Sequence, residues 1–283
     1  MTEVDGGLGI GTPGALMENK VMLVAGAGPG MGSATARVAA REGASVALVA
    51  RSRDRIEGYA REIRDAGGSA IALECDLGDE DQIARTVDRT HEEFGRLDAV
   101  FYNARYVPPD GRADSDLDVD LELWDASMAI NVRGPLVMAR RSIPLMTEHG
   151  GGSFVLNSSS VSLYAEHVRP AYSVSKAALN ALMRFIAVRH GREGIRANAI
   201  FPFSIGGPLS EIVARFTAIG RSGTPREIAE VVVFLSSERA ALITGQLIHL
   251  DGGLFAGMPT VADMREQQVT EASGMTDVGQ TRT

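Results

Sequence analysis

The chain has 283 residues, of which 45% are hydrophobic and 23% charged, and its net charge is -8 at pH 7. These proportions are typical of a water-soluble protein with a buried core, and the acidic balance argues against nucleic acid or an anionic membrane as a main partner. Cys75 is the single cysteine, which excludes an internal disulfide and favours a reducing compartment. We therefore expect a cytoplasmic protein with no membrane span and no metal site.

The first predicted elements form a nucleotide-binding pattern. Residues 1–19 are rich in glycine and predict a flexible tail, and the apolar run VMLVA at 21–25 predicts a strand buried on both faces. The glycine loop GAGPGMG and a helix pattern follow. This order suits a dinucleotide, because glycines let the backbone approach the pyrophosphate and the helix N-terminus faces its charge. The residues expected to contact the cofactor here are Gly26, Gly28, Gly30, Met31 and Gly32.

The end of the next strand, SVALVA, distinguishes between the two nicotinamide cofactors. An acidic residue at this position binds the free 2′-hydroxyl of NAD, whereas a basic residue accepts the 2′-phosphate of NADP. Here Ala50 is followed by Arg51 and Ser52. We predict that NADP(H) is favoured over NAD(H), with Arg51 as the phosphate clamp and Ser52 as a hydrogen-bond donor. NAD remains the alternative, and Arg53 is expected to lie in solvent.

Alternating helix and strand patterns continue along the chain. A helix at 53–66, the strand SAIALECDL, a helix at about 79–94 and the strand DAVFYNA are predicted in turn. Residues 124–146 predict one long amphipathic helix, and GGSFVLNSSS at 151–160 predicts a strand that ends in three serines. Near the end of the chain, Thr224 and Glu227 predict a capping box at the start of a last helix.

The segment PAYSVSKAA places Tyr172 and Lys176 four residues apart. On a helix, this spacing puts the phenol and the ammonium on one face, about one turn apart. A phenol exchanges protons poorly at neutral pH, and a nearby ammonium favours the phenolate. The same spacing also occurs in ordinary amphipathic helices, so the surrounding motifs decide between the two interpretations.

Those motifs resemble the classical short-chain dehydrogenase/reductase family. The glycine loop, an Asn-Ala segment at Asn103, a helix Asn at Asn131, a serine and Tyr-x-x-x-Lys follow in the family's order, over about residues 20–253. The resemblance implies one Rossmann-like, doubly wound α/β domain with a mostly parallel seven-stranded sheet. Residues 254–283 would form a C-terminal extension, for which a disordered tail is the default expectation.

The resemblance also implies roles for individual residues. Tyr172 would be the general acid/base, Lys176 would support it and bind the cofactor ribose, and Asn131 would hold a water in the proton path. The family's serine lies about thirteen residues before the tyrosine, which indicates Ser159, with Ser160 as the alternative and Ser158 as a structural residue. The remaining positions that the family places at the cofactor are Asp76, Leu77, Asn103, Ala104, Pro202 and Ile205.

Two positions depart from the family pattern. Arg105 and Phe203 stand where glycines are expected, beside the predicted nicotinamide site. We nevertheless predict an NADP(H)-dependent enzyme that interconverts a small ketone or aldehyde with an alcohol, and that forms a homodimer or homotetramer. The alternatives are an NAD-dependent dehydrogenase of the same fold and a non-catalytic nucleotide-binding sensor or scaffold.

Overall fold

Short apolar runs alternate with amphipathic segments, and these form the strands and helices of the computed structural model, which describes residues 15–108, 117–164, 168–206 and 211–257. The strands are β1 (Val21–Ala25), β2 (Ser45–Ala50), β3 (Ser69–Glu74), β4 (Ala99–Tyr102), β5 (Gly152–Asn157), β6 (Ile195–Pro202) and β7 (Leu247–Leu250). The helices are α1 (Met31–Arg41), α2 (Arg53–Asp65), α3 (Glu80–Phe94), α4 (Leu121–Met128), α5 (Gly134–Glu148), α6 (Pro170–His190), α7 (Glu211–Phe216) and α8 (Pro225–Ser236).

The strands form one seven-stranded sheet in the order β3-β2-β1-β4-β5-β6-β7. Every neighbouring pair is parallel. The strand order reverses between β1 and β4, which makes this the point where ligands bind in doubly wound folds, beyond the carboxyl ends of the strands. The predicted fold class, including the strand count, is confirmed.

The core lies on both faces of the sheet because its central strands are largely apolar and buried. Leu23 and Ala25 of β1 belong to one apolar cluster, which includes residues of α3, α5 and α6. Met22 and Val24 belong to the other, which includes residues of α1, α2 and α8. Thr224 caps α8 in the predicted capping box with Glu227. None of the described helices combines the length and apolar composition that crossing a membrane requires.

At both ends of the chain, packed residues extend beyond the domain boundaries that the sequence predicts. Met17 is fully buried, and its N–H donates to the carbonyl of Glu42, at 2.9 Å, behind α1. The packed region therefore begins before the predicted boundary at residue 20. At the other end, the ring of Phe255 stacks on Tyr164 with 4.0 Å between centroids. Residues 1–14 of the predicted tail and 258–283 of the predicted extension lie outside the described part of the chain.

The predicted long helix is continuous from residue 121 to residue 148, but it contains a π-helical turn that the sequence did not predict. A π-helical turn, Ala129–Arg133, separates α4 from α5 and contains Asn131. The buried hydroxyl of Tyr102 donates to the carbonyl of Ile130 in this turn, at 2.8 Å. A Cβ at Gly134 would collide with that hydroxyl, so glycine lets α5 pass close to β4. Single π turns in α-helices frequently mark functional sites.

We expect Gly134→Ala to lower the free energy of unfolding by about 1–3 kcal/mol, the usual cost of overpacking. The added Cβ would meet Tyr102 Oη and would lie 2.8 Å from the Leu77 carbonyl oxygen. Urea unfolding followed by circular dichroism measures the change.

Gly58→Ala in α2 is the matched control, because its added Cβ has no heavy atom within 4 Å. It should stabilise the protein by about 0.5–1 kcal/mol through the better helix propensity of alanine. A Gly134→Ala variant as stable as the wild type would show that the helix and β4 do not require this close approach.

Candidate active site

A groove of about 780 Å³ lies beyond the carboxyl ends of the strands, across the switch point between β1 and β4. Loops that follow β1, β2, β3 and β4 line it, together with the end of β5. The predicted cofactor residues that the structure brings together here are Gly26, Gly28, Gly30, Met31, Arg51, Ser52, Asp76, Leu77, Asn103, Ala104 and Ile205. Four other predicted cofactor residues do not line the groove, namely the buried Gly32, Lys176 and Pro202 and the half-buried Tyr172.

The glycine loop leaves the start of α1 open to the groove. Gly30 is the N-cap residue of α1, its φ of 95° lies in the region that favours glycine, and no side chain caps the helix. Gly28 has open space around its missing Cβ. The first N–H groups of a helix have no partner within it, so this end offers donors and a positive dipole to a phosphate. The residues present therefore fit a dinucleotide pyrophosphate.

Two other glycines serve close packing instead. A Cβ on Gly26 would lie 2.6 Å from the backbone nitrogen of Ala104. A Cβ on Gly32 would lie 2.9 Å from Cα of Ala27. Glycine at these positions thus allows the loop after β1 to touch both the loop after β4 and the first turn of α1.

The end of β2 presents two cationic side chains to the groove. The exposed Arg51 lines it as predicted, and so does Arg55, which sequence analysis missed. The signal for Arg55 was its spacing of four residues from Arg51, which places it on the first turn of α2. Arg53 instead lines a separate surface groove beside Arg85 and Arg89. Arg53 therefore lies outside the candidate site, as expected from the sequence.

A chain of hydrogen bonds connects α6 with the glycine loop. The Lys176 ammonium donates to the carbonyl of Asn157 at 2.7 Å. The Asn157 amide donates to Asn103 Oδ1 at 3.0 Å, and the Asn103 amide donates to the carbonyl of Gly26 at 2.9 Å. Asn157 was missed from the sequence, although a polar residue at the carboxyl end of a buried strand was a usable signal. Its Oδ1 is a buried acceptor without a hydrogen-bond partner among the described residues.

Lys176 is buried next to Tyr172. Its Nζ lies 5.7 Å from the centre of the tyrosine ring, on the same face of α6. Burial, together with a smaller effect of the positive charge of Arg105, lowers the pKa of Lys176 to about 7. The Tyr172 ring is half-buried, and the guanidinium of Arg169 lies 5.3 Å from its centre. The phenol and the amine therefore lie together as the helical spacing predicts.

Asn131 makes hydrogen bonds to the helix that carries the Tyr172–Lys176 pair and to the loop after β4. Its buried amide donates to Ser175 Oγ at 2.9 Å, and Ser175 in turn donates to the carbonyl of Tyr172. The Asn131 Oδ1 accepts the N–H of Tyr106, also at 2.9 Å. One side chain in the π turn therefore connects α6 with the loop that carries Arg105.

The three serines after β5 have different surroundings. Ser158 is buried and donates to Asn180 Oδ1 at 2.7 Å, a structural contact with α6. Ser159 and Ser160 are partly exposed at the start of a short 3₁₀ turn, Ser160–Ser162. Both hydroxyls thus remain candidates for binding a substrate oxygen.

The two departures from the family pattern lie in different places. The exposed side chain of Arg105 lines the main groove, near Asn103, Ala104 and Asn157. Phe203 lines a separate cavity of about 320 Å³ beside α8 and β7. Only Arg105 therefore changes the wall of the candidate cofactor groove.

Known proteins resemble this chain over most of its length. A family model described as enoyl-(acyl carrier protein) reductase matches residues 26–255. The A-factor type gamma-butyrolactone 1′-reductase (1S-forming) of Streptomyces virginiae is 36% identical over 250 residues, covering 84% of this chain and 96% of the relative.

Two further relatives match at similar levels. The cis-4-hydroxycyclohexanecarboxylate dehydrogenase of Sinomonas cyclohexanicum is 33% identical over 253 residues, covering 86% of this chain and 99% of the relative. A crystal structure of a short-chain type dehydrogenase/reductase from Mycobacterium marinum superposes with a TM-score of 0.78 at 29% identity, covering 85% of this chain and 97% of that one. These relatives include one named as a reductase and one named as a dehydrogenase.

The buried Lys176 should make stability depend on pH. Its folded-state pKa of about 7 lies below the ordinary value of 10.5, so between these values the unfolded chain binds more protons and stability rises with pH. We expect the wild type to gain stability relative to Lys176→Met from about pH 7 to about pH 10, by up to about 1.4 kcal/mol per pH unit. Urea unfolding of both proteins across this range measures the difference.

Lys20→Met is the matched control, because Lys20 is the chain's other lysine and its side chain is 30% exposed. The stability difference between this control and the wild type should change much less over the same pH range. A difference between Lys176→Met and the wild type that is constant with pH would contradict the buried, readily deprotonated state of Lys176.

Proposed function

The chain belongs to the short-chain dehydrogenase/reductase family of oxidoreductases, and from this premise we propose that it uses NADP(H) to interconvert a ketone or aldehyde with an alcohol. The observation that carries the proposal is the hydrogen-bond chain from Lys176 through Asn157 and Asn103 to Gly26. It fixes the Tyr172–Lys176 pair relative to the groove that fits a dinucleotide. A protein that only bound a nucleotide would have no need for this pair.

The cationic end of the groove supports the preference for NADP(H). Arg51 and Arg55 line it beyond β2, whereas Asp54, between them, does not. Guanidinium groups bind phosphate oxygens by charge-assisted, bidentate hydrogen bonds, so the pair suits a 2′-phosphate. Asp76 and Leu77, beyond β3, are proposed to border the adenine. Ile205 and Pro202 are proposed to lie at the nicotinamide side.

The chain's own groups would perform the proton chemistry. When bound, NADP(H) supplies or accepts a hydride at its nicotinamide. The Tyr172 phenol donates a proton to the carbonyl oxygen in reduction and accepts it from the alcohol in oxidation. The Lys176 ammonium stabilises the phenolate at close range and can also donate to the nicotinamide ribose. Ser159 donates a hydrogen bond to the substrate oxygen, with Ser160 as the alternative.

Asn131 would act mainly through the residues it holds. Its contacts to Ser175 and to the N–H of Tyr106 fix both sides of the reaction site. We also propose that its turn of helix holds the water that connects Lys176 with solvent. The π-helical geometry supports this role, since a widened turn frees backbone groups from their usual partners.

A homodimer or homotetramer is the proposed assembly. Leu136, Phe185 and Val188 on α5 and α6 are exposed to 48%, 63% and 85%. Contiguous apolar surface of this kind favours association with a second copy through these helices. The buried Cys75, the chain's single cysteine, supports the proposal of a reducing, cytoplasmic location.

We expect Tyr172→Phe to lower kcat by at least about a hundredfold, the usual contribution of a general acid/base. The binding of NADPH should persist, because the ring remains in place. Turnover of a panel of carbonyl compounds with NADPH, followed by absorbance, together with fluorescence titration of NADPH, tests both parts.

Ser159→Ala and Ser160→Ala in the same assay identify which hydroxyl binds the substrate oxygen. Undiminished turnover in Tyr172→Phe would disprove the proposed role of the phenol. If the wild type binds NADPH but turns over none of the carbonyl compounds or alcohols offered, the sensor or scaffold alternative is favoured.

Arg51→Ala should weaken NADPH binding by about tenfold or more, since it removes a charge-assisted hydrogen bond worth about 1.5–3 kcal/mol. NADH binding should change little. Arg53→Ala is the matched control, because it removes the same charge from a side chain outside the groove. Equal losses for NADPH and NADH in Arg51→Ala, or none for either, would favour the NAD-dependent alternative.

A further inference from the structure

Arg105 is held in a defined place beside the reaction site. The loop that carries it leaves β4 with the N–H groups of Asn103 and Ala104 both donating to the carbonyl of Ala25. One residue beyond Arg105, the N–H of Tyr106 donates to Asn131 Oδ1. Hydrogen bonds on both sides therefore fix the backbone from which the Arg105 side chain enters the groove.

The backbone at Arg105 does not need glycine. Among the non-glycine residues that the structure describes, only Asn19 and Arg169 have a positive φ. A side chain at position 105 therefore costs no left-handed backbone strain. The position can carry a long cationic group without disturbing the loop that the family forms with glycine.

The charge of Arg105 has no counter-ion within the described residues. Its guanidinium makes no ion pair with any of their carboxylates, and Asp76 is the one acidic residue among those lining the groove. Asp76 follows β3, which is separated from β4 by two strands, or about 14 Å at the usual strand spacing. Burial, and to a smaller extent the positive charge of Arg105, lowers the pKa of Lys176. A guanidinium on the groove wall that has no counter-ion, and whose charge acts on a second cation, forms a site suited to an anion.

The cofactor's 2′-phosphate is a poor candidate for this anion. Arg51 and Arg55 already face the groove beyond β2, and β1 separates β2 from β4. Arg105 instead affects Lys176 and lines the groove with Asn157 at the end of β5, which is the side of Tyr172. The anion it would meet there belongs to the molecule that reacts at Tyr172, or to the pyrophosphate above the glycine loop.

We propose that Arg105 binds a carboxylate of the substrate, so that this protein acts on oxo acids and the corresponding hydroxy acids rather than on uncharged carbonyl compounds. The inference rests on the proposed function and specifies its substrate class. A guanidinium binds a planar carboxylate through two parallel hydrogen bonds, which orients the reacting carbon as well as adding affinity. The bound carboxylate would also offset the charge of Arg105 at Lys176 and so favour the ammonium form that supports Tyr172.

The first test measures binding and does not depend on turnover. Calorimetric titrations compare 2-oxobutanoate, 4-oxopentanoate and 5-oxohexanoate with their methyl esters, on the complex of the full-length protein with NADP⁺. Within each pair the ester lacks the negative charge and carries one more methyl group, and the series varies the distance from carbonyl to carboxylate. We expect at least one acid to bind the wild type at least about tenfold more tightly than its ester, and Arg105→Met to abolish that preference.

The second test measures catalysis with the same pairs. The ratio of kcat/KM for the acid to that for the ester, at saturating NADPH, should fall at least about tenfold in Arg105→Met. Arg53→Met is the matched control and should keep the wild-type ratio, since its side chain lies in another groove. The selective binding of an acid without turnover of either compound would support Arg105 as the carboxylate site while disproving the proposed catalytic function.

Three results would overturn the proposal. The first is equal binding of acids and esters by the wild type, or binding of neither. The second is a preference for the acid that survives in Arg105→Met. The third is a loss of NADP⁺ affinity in Arg105→Met with the acid preference unchanged, which would assign Arg105 to the cofactor's pyrophosphate.

Discussion

The buried ammonium of Lys176 determines how the parts of this site fit together. A buried cation is costly unless it donates hydrogen bonds, and Lys176 meets this need at the carbonyl of Asn157, the last residue of β5. The side-chain amide of Asn157 donates to the Asn103 side chain, and the Asn103 amide donates to the carbonyl of Gly26. Three strand ends and α6 are thereby linked at the edge of the sheet where the strand order reverses.

Close backbone packing also positions the elements around this network. Gly26 touches the backbone of Ala104, and Gly134 allows α5 to pass the hydroxyl of Tyr102. Because Tyr102 donates to the carbonyl of Ile130, β4 also fixes the π turn that carries Asn131. The reaction site is therefore built on close backbone contacts, and the exposed side chain of Arg105 forms part of the wall of the groove.

Much of the fold could be predicted because its signals are local. The apolar run of β1 and the glycine loop after it predict a buried parallel strand, whereas the count of seven strands is implied by the family resemblance, and all seven are present. The π turn has no local signal in the sequence, and the hydrogen bond made to it joins Tyr102 and Ile130, which are 28 residues apart. Met17 was missed because the glycines around it suggest a tail, whereas its burial depends on the end of α1.

Within the site, too, residues whose positions depend on long-range contacts could not be predicted from the sequence. Motif spacing identified Tyr172 and Lys176, whereas no spacing rule indicates Asn157, whose contacts arise where separate loops meet at one edge. Arg105 differs from these residues, because the sequence identified it as a departure from the family's glycine. The sequence did not show which groups surround its side chain. The structure supplies the missing facts, namely a strain-free backbone, a groove wall and a neighbouring cation. The exposed guanidinium of Arg105 is solvated in the free protein, and a carboxylate of the ligand would supply the counter-charge that the described residues do not.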